Sequence, residues 1–236
     1  MARGAAALLG AIAALAALLL AAPVLPELSP PGRAALVAAV PPIALIGVVV
    51  HGLGPLTRVP LALAALAAAG GLLTAAADAQ GAHGAGTLPE ALLAIALGLL
   101  FARVFDLGAF VIALPLVIGA IDVASAIGAD PSAWPHPLPG GEPLTLELPL
   151  WGAETAAGSI PIATVLFLAA LQGYAERQRL RTAGTAAAMT AGLVAAYLLE
   201  WSTDRPMPQT AFVAAGFLIA ASDELPAWLR RGGLRD

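Results

Sequence analysis

The residue in this chain best placed to do chemistry is Asp122. It lies inside Leu107–Gly128, LGAFVIALPLVIGAIDVASAIG, a 22-residue stretch with no other charge. About 20 apolar residues can span a bilayer. An ionisable group inside such a span costs about 2.5 kcal/mol or more, so it has a partner or a task. Asp122 stands six residues from Gly128, about 9 Å along a helix. It reads either as a capped carboxylate near the interface or as a buried acid or cation site. Ser125, at i+3, shares its face and is placed to hydrogen-bond it.

The next residues of interest follow a long loop. Leu144, Leu146, Leu148 and Leu150 alternate with Thr145 and Glu147. That period of two marks a half-buried strand, and Pro149 confines it to an edge. Such a strand packs on the protein itself or pairs with an extended peptide. Gly158-Ser159-Ile160-Pro161-Ile162 then opens another apolar run, with Pro161 suited to the first position of a helix. Glu154, eight residues before Ile162, reads as a loop-end carboxylate. Asp78, Asp106 and Glu200 fall at span ends and read as interfacial.

Several chemistries are excluded. The chain has no Cys, hence no disulfide, thiolate nucleophile or thiolate metal site. Its three His residues are far apart and make no metal-binding motif, so no metal and no cofactor is expected. The glycines of Gly81–Gly86 lack the Lys and preceding strand of a phosphate loop. A net charge of -4 without a basic stripe offers nothing to nucleic acid.

The elements that must position Asp122 are hydrocarbon. Of 236 residues, 60% are hydrophobic and 11% charged, against about 25% charged in a soluble domain. Lys and Asn, whose codons are A-rich, are absent, which points to a GC-rich genome. One transmembrane domain of about eight spans is expected, near 4–22, 34–53, 61–77, 88–105, 107–128, 158–174, 182–199 and 209–222, with an outer loop over 129–154. The first is longer than the ~7–15 apolar residues of a signal peptide and reads as an uncleaved span. Eight spans with a cytoplasmic N-terminus place nine Arg inside and two, Arg33 and Arg205, outside, the bias of a multi-pass cell-membrane protein with both termini cytoplasmic. Trp134, Trp151, Trp201 and Trp228 fall beside span ends, as in an interfacial belt. Ala183, Ala187 and Ala191 form a small-residue face suited to helix packing. Pro41 and Pro42 kink the second span.

Over roughly Leu88–Leu225 the chain resembles the presenilin and signal peptide peptidase family of intramembrane aspartyl proteases, and in particular its compact bacterial members. That family places one Asp late in a span and a second in the next span, in a Gly-x-Gly-Asp or Gly-x-Pro-Asp motif after a loop able to form a strand. A Pro-Ala-Leu motif opens its last span. Here Ile121-Asp122-Val123-Ala124-Ser125 stands at the first motif, Gly158-Ser159-Ile160-Pro161-Ile162 at the second and Pro208-Gln209-Thr210 at the third. The departures are Ile162 where the second Asp belongs, and Gln209 and Thr210 in place of Ala and Leu.

The resemblance implies an all-α, presenilin-like bundle in the C-terminal half. It also implies a site built on Asp122, as the remaining catalytic acid, with Ser125, Gly158, Pro161 and Pro208 as binding residues. Two carboxylates that share a proton act as a unit, and losing one removes nearly all chemistry. The expectation is therefore a membrane protein without proteolytic activity that binds a transmembrane helix or an extended peptide in the lipid bilayer. One alternative is an active protease pairing Asp122 with Glu154 or another unexpected acid. The other is a small transporter or ion-binding protein, for which no internal repeat is visible.

Overall fold

The structure is a computed structural model and describes residues 2–26, 31–80, 83–128, 145–149, 151, 156–203 and 205–230. Each expected apolar segment forms a helix. They are α1 (Ala2–Ala21), α2 (Pro31–Leu53), α3 (Pro60–Ala79), α4 (His83–Val104), α5 (Phe110–Gly128), α6 (Ile162–Arg177), α7 (Thr182–Thr203) and α8 (Gln209–Ala221). A six-residue helix, α9 (Leu225–Arg230), follows. Most of the outer loop, with Trp134 and Glu154, lies outside the described residues.

Among the described residues five segments are long and apolar enough to cross a membrane: Ala39–Arg58, Pro60–Ala79, Gly86–Val104, Phe110–Ile127 and Thr182–Thr203. α3 and α5 bury only 11% and 17% of their spanning residues. They leave Leu61, Leu72, Leu116, Val117, Ile121 and Ile127 exposed. Soluble monomers rarely expose contiguous apolar faces of this kind, so the helices are those of a membrane protein.

The core gathers around α6. Every residue from Leu168 to Ala175 is buried, all round the helix. A helix enclosed on all sides must satisfy its polar groups internally. It does so through Gln172, which donates to the Thr182 carbonyl at 3.2 Å and accepts from the Thr185 hydroxyl at 3.3 Å. His51 Nδ1 stands 3.4 Å from the same amide. This tie between α2, α6 and α7 is absent from the expectations above, although an amide inside an apolar run is itself a signal of interhelical bonding. At the C-terminal end of α6 the Tyr174 hydroxyl donates to the Phe105 carbonyl at 2.7 Å, and Arg177 pairs with Asp106.

The α7–α8 pair is in close backbone contact. A Cβ on Gly216 would lie 2.5 Å from the Ala188 carbonyl oxygen and 2.9 Å from the Met189 Cα. Only hydrogen there lets the backbones touch. The face expected to pack, Ala183, Ala187 and Ala191, is instead exposed. Trp228 also departs from the interfacial belt: it is 3% exposed, and its indole N–H donates to Gln178 Oε1 at 3.1 Å.

A hairpin interrupts the helices. β1 (Thr145–Pro149) pairs antiparallel with β2 (Ala156–Pro161), in the register Leu146↔Ile160, Glu147↔Ser159 and Leu148↔Gly158. Leu146, Leu148 and Ile160 are buried, so the alternation on β1 marks the inward face. The hairpin packs on the protein itself, against α2, α4 and α6. β2 was not expected. Residues 158–161 are strand, the sixth helix begins only at Ile162, and Pro161 is its N-cap (φ -55°, ψ 133°) rather than its first helical residue.

Candidate functional site

The site forms where α6 and α8 begin. Each start follows a proline, Pro161 or Pro208, and neither cap residue has a side chain that bonds the helix. The first turn of a helix leaves up to four backbone N–H groups without a partner in the helix. In an apolar surrounding each needs an acceptor from elsewhere.

Asp122 supplies one. Its Oδ2 accepts the Ala211 N–H at 3.0 Å, so the carboxylate of α5 caps α8 across a tertiary contact. Negative charge at a helix N-terminus is stabilising by about 0.3–1 kcal/mol, and up to ~2 where partly buried. Ala211 N–H also reaches the Pro208 carbonyl at 3.0 Å. Ser125 does not join this contact. Its hydroxyl donates to the Ile121 carbonyl of its own helix at 2.9 Å and is exposed. Back-bonding of this kind is the usual recourse of a serine on a helix surface.

Glu200 serves the segment just before α8 and the side chain of that helix's first residue. Its Oε2 accepts the Met207 N–H at 3.4 Å and the Gln209 amide at 3.2 Å. It is half-buried and engaged by both donors. The Gln209 amide also donates to the Ser159 carbonyl at 3.4 Å, which joins α8 to β2. Two oxygens facing one amide fix its orientation, since the flipped amide would oppose oxygen to oxygen. The remaining oxygen, Gln209 Oε1, is buried and has no partner among the described residues. Beneath it Thr164 and Thr210 share a hydrogen bond at 3.0 Å, both buried, which links the first turns of α6 and α8.

Gly158 packs against Tyr197 of α7. A Cβ there would lie 2.8 Å from the ring Cε2 and 3.1 Å from the hydroxyl oxygen. Close packing of strand on ring requires glycine, and this is what Gly158 contributes. Pro161 and Pro208 each end an extended segment and turn the chain into a helix.

The structure therefore gathers Asp122, Gly158, Pro161 and Pro208 around one junction and leaves Ser125 outside. Glu200, Gln209, Thr164 and Thr210 belong to it and were not anticipated. For Thr164, Gln209 and Thr210 the signal was available: polar residues in the first turn of an apolar helix, just after a proline. Ile162 opens α6, half-buried, and offers no acid. Among the described residues no ion pair involves Asp122, and no three of His, Cys, Asp or Glu come together as metal ligands.

No protein-family model matches the chain, and neither a curated protein nor a solved structure matches it.

Proposed function

We propose that this is a presenilin-like membrane protein without proteolytic activity, which binds a transmembrane or extended peptide segment at the junction of α5, β2, α6 and α8. The observation that carries the reading is the engagement of Asp122. Its carboxylate accepts a backbone N–H of α8, and the α6 position where the family has its second acid is Ile162. An aspartyl dyad needs two carboxyl groups sharing one proton so that one is base and the other acid. Among the described residues Glu200 is the other carboxylate at the junction, and it is spent on Met207 and Gln209. The convergence of the three motif segments at the α8 start supports the family likeness. The six basic residues Arg58, Arg103, Arg177, Arg179, Arg181 and Arg230 flank the other ends of the helices, which supports a cytoplasmic face there.

The test is a cleavage assay. The purified full chain is reconstituted in vesicles with a labelled single-pass substrate. The expected result is no turnover above an empty-vesicle control. Turnover that vanishes in Asp122→Ala overturns the reading.

A further inference from the structure

We infer that α5 is a docking face for one transmembrane helix of a partner protein, and that this helix carries a cationic side chain which pairs with the free oxygen of Asp122. The inference rests on the reading above, because it names the partner class for the same carboxylate.

Three observations carry it. First, among the described residues α5 is held on one side only. Val111, Leu114 and Ile118 face inward, and its neighbours are α8 and, more lightly, α6. Second, the opposite side is open and apolar: Leu116, Val117, Ile121, Val123 and Ile127 are exposed, with Ala120 and Ala124 among them. Small side chains beside large ones let a second helix approach closely. Third, Asp122 lies on the border between the two sides. Oδ2 is taken by Ala211, whereas Oδ1 meets no hydrogen-bond donor and no cation among the described residues.

Lipid tails cover an apolar face but offer nothing to a carboxylate oxygen. The group that complements it at that depth is a donor carried by another helix, and a cation adds charge complementarity to the hydrogen bond. Asp122 is six residues from the helix end at Gly128. The partner's Lys or Arg therefore sits about 9 Å inside its own corresponding end.

The test uses the full chain in phosphatidylcholine vesicles and three labelled 22-residue Leu/Ala transmembrane peptides. One carries a single Lys six residues from an end, one carries Glu there, and one is wholly apolar. Binding is read by energy transfer. The Lys peptide is expected to bind about tenfold tighter than the apolar one, and the Glu peptide no tighter. Asp122→Asn keeps an oxygen for the Ala211 N–H and is expected to erase the Lys advantage. Ile121→Trp leaves Asp122 intact, blocks the face, and is expected to weaken the Lys peptide by a similar factor. Equal binding of Lys and apolar peptides, a Lys advantage that survives Asp122→Asn, or indifference to Ile121→Trp overturns the proposal. Cleavage of a substrate would instead overturn the reading of inactivity and leave this pairing standing.

Discussion

Replacing Asp122 by Ala should destabilise the fold even if no chemistry is lost. The perturbation removes the acceptor of the Ala211 N–H at 3.0 Å and the negative charge at the start of α8. Pro208, which caps that helix, has no side-chain acceptor to take over. Removing a side-chain cap costs about 0.5–2 kcal/mol. Losing the charge adds about 0.3–1 kcal/mol; the Pro208 carbonyl, also 3.0 Å from the Ala211 N–H, limits the combined loss to about 1–2 kcal/mol. For a chain of this length each kcal/mol lowers Tm by about 2–4 °C, so a fall of about 2–8 °C is expected. Asp122→Asn keeps the acceptor and loses only the charge term, about 0.3–1 kcal/mol, so its Tm should lie between wild type and Asp122→Ala. The assay is thermal unfolding in detergent micelles, followed by tryptophan fluorescence at one protein concentration. Equal Tm for Asp122→Ala and wild type would refute the capping argument. So would an Asn variant as damaged as the Ala variant.

Thr164→Val and Thr210→Val should each cost about 1 kcal/mol by stranding one buried hydroxyl, while the double variant should cost less than their sum. A double-mutant cycle on unfolding checks the coupling. Gly158→Ala should lower stability by about 1–3 kcal/mol, because its Cβ meets the Tyr197 ring, and Tyr197→Ala in the same chain should recover part of that loss; thermal unfolding of both variants decides it. Gln172→Leu strips the tie between α2, α6 and α7 and should cost about 1–3 kcal/mol. Faster amide exchange in the first turn of α7 is its structural readout.

The hydrocarbon runs determined the helices, because a segment of about 20 apolar residues in lipid has to satisfy its own backbone. The Leu alternation determined β1 in the same way, since a period of two sorts side chains between two faces. β2 was illegible. Its Ala, Gly, Ser and Pro side chains carry no alternation strong enough to read, and it is a strand because β1 supplies its hydrogen bonds. The outward turn of Ala183, Ala187 and Ala191 was equally hidden, since small residues permit close packing without saying which face receives it.

Asp122 stood out in the sequence because a charge in an apolar run is costly wherever the run folds. Its partner did not. The donor it serves is a backbone N–H, a group every residue but proline possesses, so no residue type announces it. Only the crossing of α5 with α8, 89 residues away in the chain, selected Ala211. The short connection from α7 to α8 brought Glu200 to Gln209, nine residues on, and the approach of β2 to the α8 start gave Gln209 its second oxygen. Composition and periodicity thus determined which segments form the helices and strand β1, and the tertiary contacts decided which faces are buried and which polar groups meet, because a hydrogen bond depends on distance and direction that linear order does not encode.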